Sequence, residues 1–232
     1  MIVGVILAGG TGTRVGADKP KQFVSVLGRP ILAYTIDIYQ SLPEIDAILV
    51  VCHMDWMDYC KKMIEQEKLS KVCWLAEGGE DFQHSVINGM NRLKGELSGD
   101  DIVLIHYGAA PFTSERIIRD CIRVTKEKGA AFSATPCYQL MGSNDKDRTS
   151  KNWIDRDKLV QIACPYGFRF GYLQSVYKRA EEHGLLKKIE PHTTSLIYAL
   201  GDIMHQSYGD QTNIKITTVE DIKLFEGYCR VR

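Results

Sequence analysis

The chain has 232 residues, 44% of them apolar and 25% charged, which fits one globular domain able to bury a sizeable core. Lys plus Arg equals Asp plus Glu at 29 each, so there is no broad basic footprint for DNA, RNA or an anionic membrane, and any anion site must be local. Seven scattered cysteines with no CxxC spacing argue against a disulfide framework or a zinc site; no apolar run is long enough to span a bilayer, no basic leader precedes Ile2 to Leu7, and the cytoplasm is the expected address.

From the amino terminus, short β-branched runs alternate with amphipathic segments. IVGVIL precedes PILAYTIDIYQ, AILVVC precedes DWMDYCKKMIEQ, KVCWLA precedes SVINGMNRLKG, and DIVLIH precedes SERIIRDCIRVTKEK, before AAFSAT. Continuously apolar strands separated by helices predict a doubly wound α/β domain with a mostly parallel sheet covered on both faces. Ligands of such sheets bind beyond the carboxyl ends of the strands, so the loops after Leu7, Ala76 and Ile105 are where chemistry is expected.

After Thr135 the alternation breaks into a polar, turn-rich stretch. Either a long surface loop or a projecting β-arm fits; structureless loops of that length are uncommon, so a β-arm at about 137–163 is expected within a single domain of residues 1–232. Helices are predicted near Arg169 to His183 and Thr193 to Leu200, with a strand near Ile203 to Ser207. Thr218 opens a final helix with Glu220 and Asp221 in its first turn.

The first loop, LAGGTGTRVGADKPKQF, carries the chemistry. Gly9, Gly10 and Gly12 follow a buried strand, where missing side chains let backbone amides approach a phosphate chain. Arg14 and Lys21 add cationic donors, and Pro20 fixes the backbone ahead of Lys21. Charge gathers on the non-bridging oxygens and the departing pyrophosphate when a triphosphate reacts at its α-phosphorus; one preorganised donor there contributes roughly 3 kcal/mol. Val15 breaks the dinucleotide fingerprint GxGxxG, and no GxxxxGK with Ser or Thr is present. A tight turn with solvated Arg and Lys is the bland alternative; the pairing of GGTGTR with PKQF is far more restrictive.

These motifs, with GRPIL, GGEDFQHSV, ATP at Ala134 to Pro136, DR at Asp155 and Arg156, and GDQTNIKITTVEDI, are spread over the whole chain. Together they resemble the 2-C-methyl-D-erythritol 4-phosphate and ribitol-5-phosphate cytidylyltransferases. The resemblance implies a reaction of CTP with a polyol phosphate to give a CDP-polyol and pyrophosphate, with Mg2+, in a homodimer joined through β-arms. It implies that Ala8, Gly9, Gly10 and Gly12 line CTP, that Arg14 and Lys21 hold its phosphates, and that Gly79, Glu80 and Ser85 face the cytosine. Lys215 is then a further cation at the α-phosphate, and Arg156 grips the polyol phosphate of the neighbouring subunit.

The chain departs from that family pattern on the metal and acceptor side. Where HDxxRP is usual, HYGAAP places Tyr107 and Ala110; a neutral phenol is a poor ligand for a hard cation and alanine has no donor. Phe82 replaces the arginine of GGxxR, Gln139 and Leu140 replace an aspartate and threonine, ACPYGF replaces QTPQ, and HTTS at His192 to Ser195 replaces an acidic cluster. Asp210 is a candidate for a metal ligand, with a solvated turn residue as its other reading. His84 and His106 are assigned no catalytic role, because a phosphate monoester is already ionised at neutral pH. Three readings stand: a polyol-phosphate cytidylyltransferase, an enzyme for a different phosphate or phosphonate, and a catalytically silent CTP-binding or scaffolding protein.

Overall fold

The computed structural model describes residues 1–10 and 19–231, so Gly12 and Arg14 lie outside the described residues. In chain order the elements are β1 (Ile2–Ala8), β2 (Ser25–Val26), β3 (Arg29–Pro30), α1 (Ile31–Ser41), β4 (Ala47–Cys52), α2 (Met57–Gln66), β5 (Val72–Glu77), α3 (Phe82–Leu93), β6 (Ile102–Tyr107), α4 (Glu115–Lys128) and β7 (Ala130–Pro136). There follow β8 (Met141–Gly142), β9 (Trp153–Ile154), β10 (Val160–Arg169), α5 (Phe170–Glu182), α6 (Thr193–Ala199), β11 (His205–Tyr208) and α7 (Val219–Val231). No helix among the described residues is long and apolar enough to cross a membrane.

Seven strands form one sheet in the order β11-β7-β10-β6-β1-β4-β5. All neighbours are parallel except β10, which runs antiparallel to both β6 and β7. Side chains alternate across the sheet, as the two-residue strand period requires. Val3, Val5 and Leu7 face a core closed by α3, α5 and α6, whereas Ile6 and Ala8 face one closed by α1, α2 and α4. This double burial is why the strands read as unbroken apolar runs.

The sequence did not signal β10 as a central strand. Its first half is only partly buried, and its pairing with β7 shifts register between Ala163 and Tyr166, around Pro165. Proline donates no ladder hydrogen bond and is confined in sheets to edges or irregularities, so the period is broken in the sequence as well as in the sheet. The stretch expected as an arm leaves the sheet after Pro136 and rejoins it at Val160. Between them, β8 and β9 pair antiparallel over two residues each.

Segments distant in sequence meet at a third, smaller core. Ile216 and Phe225 are buried with Val26, Ile31, Ala109 and Phe112. Asp221 starts α7 as the lower half of a capping box: its Oδ2 accepts from the backbone N–H of Thr217 at 2.7 Å and Thr218 at 2.8 Å, while the Thr218 hydroxyl oxygen faces the Asp221 N–H at 3.4 Å. Burial pushes the Asp221 carboxyl up, but those amides and the charge of Lys21 hold it below its ordinary range.

His106 on β6 is wholly buried, with Nδ1 3.0 Å from the Tyr39 hydroxyl and Nε2 3.2 Å from the Ala110 carbonyl. A carbonyl only accepts, so Nε2 carries the hydrogen and Nδ1 accepts from Tyr39. Burial lowers the His106 pKa from 6.5 to about 4. The unfolded chain therefore binds the extra proton between these values; the stabilisation is complete above pH 6.5 and is lost as pH falls towards 4, on the order of 3 kcal/mol in all. Denaturant unfolding at pH 7 and pH 4.5 is expected to show a steeper loss for the wild type than for His106→Gln. Equal slopes would place the imidazole in contact with water.

Candidate active site

Two adjoining cavities open at the carboxyl ends of β1, β5 and β6. The first, of about 570 Å3, lies between the loops after β1 and β5; the second, of about 650 Å3, lies towards β10 and the start of α6. Tyr107, Glu190, His192 and Lys215 line both and form the wall between them.

The first cavity gathers Ala8, Gly9, Gly10 and Lys21 from one end of the sequence, Gly79 and Glu80 from the loop after β5, and Ser85 from the first turn of α3. Their approach is steric in origin. A Cβ built on Gly9 falls 3.1 Å from the Gly78 Cα, and one on Gly78 falls 2.9 Å from the Gly9 Cα, so the two loops meet backbone to backbone. Gly79 donates its N–H to the Ser85 hydroxyl at 3.0 Å, while Asp81 Oδ1 caps α3 by accepting from the His84 N–H at 2.8 Å.

Pro20 and the 3-10 turn Lys21–Phe23 set the cationic side. Phe23 is buried and stacks on Trp56 at 5.0 Å, which anchors the turn. Gln22, also buried, donates Nε2 to the carbonyls of Ala8 and Gly10, both at 2.8 Å, and so pins the start of the glycine loop. Gln22 stands in the PKQF motif, but nothing local to that motif announces it as a clamp. Lys21 points the other way: its Nζ donates to the Ile216 carbonyl at 2.6 Å. Ile216 in turn donates its N–H to the Ala109 carbonyl at 2.8 Å. Ile216, anchored by its side chain in the third core, therefore holds Lys21 through its carbonyl and fixes the segment that carries Lys215.

Lys215 Nζ lies 4.0 Å above the centre of the Tyr107 ring. The Tyr107 hydroxyl is 2.6 Å from His192 Nε2, and the His192 ring stacks on Phe82 at 4.3 Å and 19°. Burial raises the Tyr107 phenol well above its ordinary value and, with the charge of Lys215, lowers His192. The phenol is accordingly the donor and the neutral imidazole the acceptor. The three rings occupy positions noted above as departures from the family pattern, and their meeting joins residues 85 apart for Tyr107 and His192. Only contacts in the fold reveal it.

In the second cavity, Asn213 is fixed by donating Nδ2 to the Cys164 carbonyl at 2.7 Å and accepting from the Thr113 hydroxyl at 2.6 Å. Thr194, Ser195 and Gln161 line the same space with hydroxyl and amide groups. Asp210 lines it too, but its Oδ1 accepts from the N–H and hydroxyl of Thr212 at 3.0 and 2.6 Å, closing a turn. Arg156 lies on the excursion between β9 and β10, where it donates to the Tyr138 carbonyl and lines neither cavity of its own chain.

Residues 2–231 match the family described as 2-C-methyl-D-erythritol 4-phosphate cytidylyltransferase, IspD. The ribitol-5-phosphate cytidylyltransferase of Lacticaseibacillus paracasei is 33% identical over 230 residues, covering 99% of this chain and 98% of its own. A 2-C-methyl-D-erythritol 4-phosphate cytidylyltransferase of Clostridium perfringens is 35% identical over 231 residues, covering 99% of each chain. Among solved structures, 4-diphosphocytidyl-2C-methyl-D-erythritol synthase from Anaerococcus prevotii superposes with a TM-score of 0.80 at 25% identity, covering 99% of this chain and 98% of that one. With Gly9, Gly10, Lys21 and Lys215 gathered at one cavity of a matching fold, the chain belongs to the 2-C-methyl-D-erythritol 4-phosphate cytidylyltransferase family of nucleotidyltransferases.

Proposed function

We propose that this protein transfers CMP from CTP to a polyol phosphate of the ribitol 5-phosphate or 2-C-methyl-D-erythritol 4-phosphate type and releases pyrophosphate. The observation that carries this reading is the bond from Lys21 Nζ to the carbonyl of Ile216, which sets the amino-terminal lysine beside the segment bearing Lys215 at the rim of the glycine-lined cavity. An oxygen of the acceptor phosphate attacks the α-phosphorus, and the bond to the departing pyrophosphate breaks. Lys21 and Lys215, with Arg14, balance the charge that builds on the phosphoryl oxygens. Ala8, Gly9, Gly10, Gly12, Gly79, Glu80 and Ser85 hold the nucleotide. The acceptor extends its hydroxyls into the second cavity, towards Thr194, Ser195 and Gln161.

A homodimer in which the segment around β8 and β9 brings Arg156 to the acceptor of a second copy belongs to the same proposal, as does a cytoplasmic location. The divalent ion that the resemblance implies does not fit at the end of β6. The Tyr107 phenol donates its hydrogen to His192 and already carries an ammonium on its face. Mg2+ commonly keeps several waters and few protein ligands, so arrival with the triphosphate is compatible with the residues present.

The test is CTP-dependent pyrophosphate release with a panel containing ribitol 5-phosphate, 2-C-methyl-D-erythritol 4-phosphate, glycerol phosphates and a phosphonate. Turnover with one of the first two is expected, and the ratio of kcat/KM between them identifies the acceptor. Turnover with the phosphonate alone would select the different-acceptor reading. CTP binding without any pyrophosphate release would instead select the silent protein, the reading favoured by Tyr107, Ala110 and Phe82 at positions of the family pattern.

A further inference from the structure

The geometry points to Tyr107 and His192 as a positioning pair that fixes Lys215 at the wall between the nucleotide and acceptor cavities. This rests on the proposed transferase reading only for its effect on rate; the arrangement itself can be tested without turnover.

The wall is built from four separate parts of the chain. Tyr107 ends β6, His192 precedes α6, Phe82 begins α3, and Lys215 lies between β11 and α7. An ammonium above an aromatic face is attracted by the ring quadrupole, provided the ring holds its orientation. Tyr107 is held from three sides. Its hydroxyl donates to His192, its ring meets Phe82 at 5.7 Å, and Tyr166 packs edge-on at 6.1 Å and 87°. His192 is itself held flat by Phe82 and met by Tyr166 at 6.1 Å and 69°. An imidazole accepts the phenol hydrogen only while neutral, and both burial and Lys215 favour that form. Each part thus supports the next: Phe82 orients His192, His192 orients Tyr107, and Tyr107 presents its face to Lys215.

Neither Tyr107 nor His192 supplies charge or exchanges a proton in the transfer. Their effect passes through Lys215, so it is expected in kcat more than in the KM for CTP. Tyr107→Phe keeps the ring and removes the donor. His192→Phe keeps the stack on Phe82 and removes the acceptor. Each is expected to lower kcat about tenfold and to move the KM for CTP less than about twofold, and the double variant is expected to lose no more than Tyr107→Phe alone, because that variant already deletes the Tyr107–His192 bond. Thermal melting checks that all three fold.

The second arm reads Lys215 directly. After reductive 13C-methylation of the lysines, with the Lys215 signal assigned by its loss in Lys215→Arg, the ring current of Tyr107 is expected to move that signal upfield. The shift is expected to vanish in Tyr107→Leu and to shrink in His192→Phe. Additive losses in kcat, or a Lys215 signal indifferent to Tyr107→Leu, would overturn the assignment. A wild type that turns over no acceptor would instead fail the transferase reading, and the 13C arm would still decide where Lys215 sits.

Discussion

Replacing Lys21 by alanine is expected to lower kcat by about 10² to 10³, the cost of removing one preorganised donor from a phosphoryl transition state. Lys21 combines a charge with a fixed direction. Pro20 sets the backbone before it, and Phe23, wedged against Trp56, keeps the turn from swinging. One hydrogen of the ammonium goes to the Ile216 carbonyl, which restrains the long side chain at the rim of the first cavity. Preorganisation of this kind is effective because the dipoles and charges need not reorient as charge develops. The substitution leaves Gln22 and its two bonds to the glycine loop in place, so CTP binding should weaken far less than kcat falls. Steady-state kinetics with varied CTP separates the two effects. An unchanged kcat would remove Lys21 from the reacting centre, and a rise in KM alone would make it a ground-state ligand of the phosphates.

Lys21 is legible in the sequence because proline, lysine and the glycine run fall within one short motif, and its sharing a cavity with Lys215 is legible only through resemblance. The same division runs through the molecule. β1, β4 and β6 are apolar on both faces and announce themselves, as does α7, whose capping box is a local pattern. β10 does not: it follows a polar stretch, its first half is only partly buried, it is interrupted at Pro165, and its central place is set by pairing with both β6 and β7. At the site, Tyr107, Phe82 and His192 each read in the sequence as the loss of a charged residue. Their contact with one another is a fact of tertiary packing, since no periodicity links the end of a strand, the start of a helix and a connection before another helix. Gln22 was hidden for a related reason, because its partners are backbone carbonyls, which carry no sequence identity.

Gly79→Ala should damage both nucleotide binding and stability, because the space for a Cβ at this position is already taken by the first turn of α3. The added carbon would fall 2.3 Å from the His84 Cβ and 2.6 Å from the His84 carbonyl carbon. Most of that obstruction is backbone, so no rotamer change relieves it and the loop or the helix must move. Overpacking of this kind costs roughly 1–3 kcal/mol, which for a chain of this size lowers Tm by several degrees. The movement also breaks the bond from the Gly79 N–H to Ser85 and separates Gly78 from Gly9, where the two loops touch with no side chain between them. CTP affinity measured by calorimetry should therefore drop by more than about tenfold, beyond what a modest loss of stability explains. Gly227→Ala is the matching control: it lies in α7 with nothing near its would-be Cβ, and alanine there should raise stability by up to about 1 kcal/mol through helix propensity while leaving CTP binding unchanged. If Gly79→Ala bound CTP as the wild type does, the loop after β5 would have no part in holding the nucleotide, and the base would have to be held elsewhere in the first cavity.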